Sequence, residues 1–285
     1  MKHPLWIDRP RQREALRRSL TGANEPKILV LCAGPGMGKS WLLRQFADDA
    51  LQLGARVSLL DLSDDRAYDT LALVRQLRDA LGAPFFDPLT LTINEVTAPR
   101  LTVNVRARSR PAAQPSLAGA GHPGVKDNLF VVQTDDPRLL SAIDERVTRT
   151  FFACLEDLAA QAPVLLLFDS YEHASLDSER WLPGVADRWI RQELLRRVRD
   201  GKVRNTVVVL AGRLLPPFDA SWASALGMLT LEALSHAEVA RCLRARHSGE
   251  RLSDAEVQAI YALTRGQPQL VRLIGDALTG LDGLS

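Results

Sequence analysis

The run Lys27–Cys32 (KILVLC), the octapeptide Ala33-Gly34-Pro35-Gly36-Met37-Gly38-Lys39-Ser40 and an amphipathic stretch from Lys39 to about Leu53 constrain this chain more than any other feature. A compact apolar run of that length fits a buried strand. The glycines behind it permit a tight turn, and the apolar spacing after Lys39 fits a helix that Gly54 stops. Strand, glycine-rich turn and helix in that order gather backbone N–H groups and a helix N-terminus at one point, where a chain can wrap phosphate. In such a loop Lys39 reaches the β- and γ-phosphates, and Ser40 sets its hydroxyl on Mg²⁺. Gly34, Pro35, Gly36, Met37, Gly38, Lys39, Ser40 and the adjoining Trp41 are therefore the candidate nucleotide-binding residues. The usual pattern opens on glycine. Ala33 stands there instead, which costs little where its backbone is not left-handed.

The rest of the chain alternates between the two periodicities. Arg11–Leu20 reads as a short amphipathic helix, Arg56–Leu62 as a second strand, and Tyr68–Leu81 as a helix ended by Gly82. Further on, the pattern predicts a helix over about Pro137–Ala160, a buried strand over Val164–Asp169 (VLLLFD) and a helix over Trp181–Asp200. Thr206–Ala211 is a fourth strand, Met228–Leu231 a short fifth, and Ser235–Leu281 two or three helices. Strands alternating with helices imply an α/β fold, a parallel sheet flanked by helices. The expected division is a core over 1–232 and a small C-terminal helical subdomain over 233–285. Phe85–Asp136 interrupts the alternation and reads as an insertion. Within it Leu89–Val96 and Leu101–Val105 alternate in strand fashion, as a hairpin would. Arg106–Gly124 is rich in Ala, Pro, Gly and Ser, a disordered composition. A partner-binding hairpin and a disordered insertion with incidental pattern both remain open.

Three acidic or basic positions lie at strand ends. Phosphoryl transfer needs a carboxylate fixed beside Mg²⁺, and Asp169 closes an apolar strand as such an acid should; the plain alternative is a turn-capping Asp. Ser170 follows it where many P-loop ATPases have an acid, so Glu172 is the nearest group able to orient an attacking water, or else a surface glutamate. Asp61, ending the second strand, is a weaker candidate. Arg213 ends VVVLAGR, placed to sense a γ-phosphate or to pair with an acid at the surface.

Composition excludes several other classes. The net charge of +2 does not indicate nucleic acid. No stretch approaches the roughly 18 apolar residues of a membrane span, and the N-terminus lacks a signal-type apolar core, so the cytoplasm is the expected compartment. Cys32, Cys154 and Cys242 are far apart and odd in number, which suggests buried small hydrophobes rather than a disulfide or zinc site.

In this order the motifs resemble those of the signal-transduction (STAND-type) ATPases, within the AAA-like, NACHT and NB-ARC-related branch of P-loop NTPases. Ile7-Asp8-Arg9-Pro10-Arg11-Gln12 is similar to the family's hydrophobic–Gly-Arg-Glu segment that borders adenine, with Arg9 its one match. AGPGMGKS, LLLFDSYEH and VVVLAGR follow as phosphate loop, Walker B strand and sensor strand. Gly266-Gln267-Pro268 looks like the family's Gly-x-Pro turn, whose proline packs on the base. The resemblance covers most of the chain except Phe85–Asp136. It implies ATP/ADP and Mg²⁺ as ligands, Arg9 and Pro268 at the base, and self-association or a protein effector partner. Relatives usually run on past the helical subdomain, so the chain is expected to be a piece of a larger protein or to act through a partner. The rival expectations are a hydrolysis-deficient nucleotide-binding scaffold and a small-molecule P-loop kinase.

Overall fold

The computed structural model describes residues 9–64, 69–97, 137–177, 179–246 and 252–282. In chain order the elements are α1 (Pro10–Thr21), β1 (Ile28–Cys32), α2 (Lys39–Gln52), β2 (Arg56–Asp61), α3 (Thr70–Leu81), α4 (Asp87–Thr97) and α5 (Pro137–Gln161). There follow β3 (Val164–Asp169), α6 (Val185–Trp189), α7 (Arg196–Arg199), β4 (Thr206–Gly212), β5 (Leu226–Leu229), α8 (His236–Arg246), α9 (Asp254–Thr264) and α10 (Pro268–Asp282). The five strands form one all-parallel sheet in the order β2-β3-β4-β1-β5.

Side chains alternate across the strands, so each face has its own core. Leu29, Leu31, Leu165, Leu167, Val207 and Val209 pack under α1 and α2 through Leu16, Leu20, Leu42, Leu43 and Phe46. Ile28, Val30, Val164, Leu166, Phe168, Val208 and Leu210 face the opposite layer with Leu73, Phe151, Leu155 and Trp189. Burial on both faces explains why these strands read as continuous apolar runs. A third cluster, Leu234, Val239, Leu243, Val257, Ile260 and Val271, joins α8, α9 and α10. Asp69 caps α3 by accepting the Ala72 N–H at 2.6 Å, and Ser253 and Glu256 form a capping box on α9. Among the described residues no helix is long and apolar enough to cross a membrane.

Of the three cysteines expected to be buried, Cys154 is buried but Cys242 only partly, and Cys32 is exposed. Two expectations about secondary structure also change. Leu89–Val96 is not a strand but most of α4. Leu89, Thr92 and Ile93 are buried on one helical face, while Thr90, Thr92 and Thr97 donate to the carbonyls of Phe86, Pro88 and Ile93. Each hydroxyl is thus satisfied four residues back, and the Leu–Thr alternation also serves a helix. Phe86, Leu89 and Ile93 belong to the main core, so the start of the proposed insertion is integral to the fold. The other strand reading, Leu101–Val105, and the composition-biased Arg106–Gly124 lie outside the described residues. The second change concerns Trp181–Asp200: the helix begins only at Val185 and passes through a π-helical turn over Ile190–Leu195. Ahead of it Leu176 N–H donates to the Leu182 carbonyl and Gly184 N–H to Ala174, closing a short hairpin-like loop.

Candidate functional site

Parallel strands end together, and the crevice beyond their C-terminal ends is where an open α/β sheet offers a site. Asp61 lies in register with Asp169, and Cys32 with Gly212, so the ends of β1 to β4 line one edge. The loop leaving β1 is tied to β4 by the Ala33 N–H on the Gly212 carbonyl at 3.2 Å. Gly36 (φ 74°) and Gly38 (φ 91°) are left-handed, where a side chain would be strained. Ala33 is not, so its methyl is tolerated.

The carbonyls of this loop are bonded one after another. Lys39 Nζ donates to Ala33 O at 2.7 Å and to Gly34 O at 2.9 Å. Gln267 Nε2 donates to Pro35 O at 3.1 Å, and the Gln269 N–H to Gly36 O at 3.1 Å. By contrast, among the described residues no side-chain cap closes the N-terminus of α2, which starts behind Gly38. Ser40 is exposed on its first turn, and Trp41 beside it has a buried indole N–H without a partner among the described residues. Among the described residues nothing lies within 4 Å of where side chains on Gly34 and Gly38 would start. An uncapped helix end with its amides and dipole suits an anion.

Asp169 is buried at the end of β3 and accepts the Ser170 N–H at 2.9 Å. Ser170 is left-handed (φ 53°) and starts the 3₁₀ turn Tyr171–Ala174. That turn sends Glu172 to β4, where Arg213 donates its backbone N–H to Oε2 at 2.9 Å and its Nε to Oε1 at 2.6 Å. Gly212 makes the approach possible, because a Cβ there would stand 2.8 Å from Oε2. Burial raises the Glu172 carboxyl, but the bonds from Arg213 outweigh it and hold the group below the usual carboxylate range. Burial lowers the Lys39 ammonium, against Glu172 and Asp169, which raise it. Lys39, Asp169, Glu172 and Arg213 are thus electrostatic neighbours. Asp61 is held by the Ser63 N–H and hydroxyl at 3.0 and 2.8 Å. Among the described residues no three His, Cys, Asp or Glu side chains cluster as a metal site. A divalent cation between Ser40 and Asp169 would take its remaining ligands from phosphate and water, which is how Mg²⁺ is commonly held.

The helical tail reaches this edge through the turn at Gly266. Arg265 (φ 49°) and Gly266 (φ 71°) are both left-handed, and the Leu234 N–H donates to Gly266 O at 2.8 Å. A Cβ on Gly266 would stand 2.0 Å from Leu234 O. Pro268 opens α10 between the two glutamines that touch the loop. Arg9 is buried, with Nη2 on the Glu232 carbonyl at 2.8 Å, so it clasps the chain between β5 and α8. Gln12 does the same at the Thr230 carbonyl, at 2.7 Å. Sequence reasoning singled out Pro268 and passed over Gln267 and Gln269, whose spacing around it is the one signal available.

No family model matches the chain, and no curated protein matches it in sequence. Among solved structures it is similar to a Signal Transduction ATPase with Numerous Domains (STAND) protein with a tetratricopeptide repeat sensor from Pyrococcus horikoshii. The TM-score is 0.52 at 14% identity, over 94% of this chain and 30% of that one. A chain of the HORMA:CdnC:Trip13 complex of Escherichia coli MS115-1 matches with TM-score 0.46 and 15% identity, over 89% of this chain and 71% of that one. The chain therefore spans less than a third of the STAND protein's length, and the likeness is one of fold: a parallel α/β sheet flanked by helices.

Proposed function

We propose that the chain binds ATP with Mg²⁺ at Gly34–Ser40 and works as a nucleotide-dependent regulatory switch with slow Mg²⁺-dependent hydrolysis. The observation that carries this reading is the joint between loop and tail: Gln267 and Gln269 both end on loop carbonyls, at 3.1 Å each. Phosphate entering the loop changes the surroundings of the residues that hold α10. Nucleotide thereby gains a different hold on the docked and undocked tail, which is what a switch requires.

In this reading the helices of 233–285 act as a lid subdomain. Lys39 carries the β/γ-phosphate charge, and Ser40 and Asp169 hold Mg²⁺. The ion would supply positive charge that offsets the charge developing on the phosphate. Arg213 turns from Glu172 to the γ-phosphate, and Glu172, so freed, orients the attacking water. Pro268 borders the base. Adenine rather than guanine follows from the family resemblance, as does self-association or an effector partner.

A hydrolysis-deficient nucleotide-binding scaffold is the second reading. Ser170 in place of an acid favours it, as does the engagement of Glu172 by Arg213. Mg²⁺-dependent ATP binding and turnover by the wild-type protein beside Lys39→Ala, with particle size recorded in the same runs, separates the two. Binding lost in the variant, slow turnover and a nucleotide-dependent size change support the switch. Tight binding without turnover supports the scaffold. Absence of binding by folded wild-type protein removes both.

A further inference from the structure

A carboxylate with no solvent exposure lies beside the candidate site without touching it. Asp187, on the short helix α6, is 0% exposed. Donors from separate segments converge on it. The Tyr171 hydroxyl donates to Oδ1 at 3.1 Å; Trp181 Nε1 and Arg191 Nε donate to Oδ2 at 3.3 and 2.9 Å. Tyr171 is itself fully buried, and its ring stacks on Trp181 at 5.8 Å with an interplanar angle of 6°.

As a source of stability this arrangement is poor. Taking a carboxylate and a guanidinium out of water costs about as much as their attraction returns, and apolar residues of similar volume commonly do as well. What such a network provides is a fixed geometry, and here the fixed element is the turn that carries Glu172. Tyr171 is the first residue of that turn, held from below by Asp187. Ser170 before it is left-handed, so the chain reverses sharply out of β3. With Tyr171 pinned inward, the next side chain is delivered toward β4, onto the Arg213 N–H and Nε.

We propose that Asp187 is a positioning residue, which through the Tyr171 hydroxyl fixes the turn that presents Glu172 to Arg213 and, in the proposed reaction, to the attacking water. The catalytic half of this statement rests on the function proposed above; the positioning half does not. Loss of the anchor leaves nucleotide binding at Lys39 and Ser40 intact and misplaces the acid, so the chemical step suffers while affinity stays.

Tyr171→Phe is the cleanest probe, because it deletes one hydroxyl and keeps the ring stack. Asp187→Asn tests the same anchor from the other side. In the full chain labelled with ¹⁵N-arginine, the Arg213 Nε–H is expected to exchange slowly with solvent. Its exchange should accelerate about tenfold or more in Glu172→Gln, and equally in Tyr171→Phe with its melting transition still cooperative. In parallel, Tyr171→Phe should lower kcat about tenfold or more and change the affinity for MgATP by less than about twofold. A folded Tyr171→Phe with wild-type exchange at Arg213 overturns the proposal. If the wild-type protein does not turn ATP over, the hydrolysis reading fails, and the exchange measurement still decides whether Asp187 positions Glu172.

Discussion

Glu172 and Arg213, 41 residues apart in sequence, meet through both oxygens of the acid: one takes the arginine's backbone N–H at 2.9 Å, the other its Nε at 2.6 Å. The acid and the cation that a phosphoryl-transfer site would need are, in this structure, engaged with each other. Several outcomes follow from that pairing and from the packing around it.

Glu172→Gln should leave MgATP binding intact and reduce turnover by about a hundredfold or more if Glu172 orients the water; unchanged turnover removes it as the base. The same variant tests the ion pair by pH. The folded-state pKa of Glu172 is depressed, so the stabilisation is fully present above the ordinary carboxyl pKa of about 4.3 and is lost as pH falls through the lower folded value. The melting difference between wild type and variant should hold from neutral pH to about 5 and close under stronger acid. Arg213 is 55% exposed, so that difference should correspond to about 1 kcal/mol or less.

Gly266→Ala should destabilise the helical tail. The new methyl would need a left-handed backbone and would overlap the Leu234 carbonyl, a rigid neighbour, at 2.0 Å. A loss of about 2 kcal/mol or more, with early proteolytic release of the C-terminal helices, is the expected result. Gly54→Ala is the control: it too is left-handed (φ 77°) but has nothing within 4 Å, so it should cost only about 1 kcal/mol.

Ser58→Ala should be neutral or stabilising by up to about 1 kcal/mol in thermal or denaturant unfolding. The Ser58 hydroxyl is buried in β2 and has no hydrogen-bond partner among the described residues. Removing it removes an uncompensated polar group, and a clear loss of stability would show that the hydroxyl is satisfied in solution.

Arg9→Ala should cost about 1–3 kcal/mol, because it strips the Glu232 carbonyl of a buried charged donor. If Arg9 serves as a clasp rather than a base contact, the affinity for ATP should change by less than about threefold when measured well below the variant's melting temperature. A much larger loss of affinity would return Arg9 to the base-binding set.

The sequence made the strand–turn–helix around Lys39, and the strands over Val164–Asp169 and Thr206–Gly212, legible to within a residue or two. Those segments are buried on both faces or bounded by glycine, so local pattern and tertiary demand agree. Leu89–Val96 was misleading because threonine satisfies a helix by bonding backward as well as it satisfies a strand. The pairing of Glu172 with Arg213 was not legible as a pairing. It depends on β3 and β4 being neighbours, a fact of strand order, and on the space that Gly212 leaves. Gln267 stands out only by its place beside Pro268 and Asp187 by nothing, and neither names its partner: one finds Pro35 232 positions away, the other Tyr171 across a loop.

That separation has a temporal side. Synthesis proceeds from the N-terminus at about 5–20 residues per second, so a nascent chain carries its glycine loop for roughly 10–50 s before Gln267 and Gln269 leave the ribosome. During that interval Pro35 and Gly36 lack the donors that later fix their carbonyls, and β1 waits for both of its strand neighbours, β4 and β5, as well. The loop is among the first parts made and among the last to be finished.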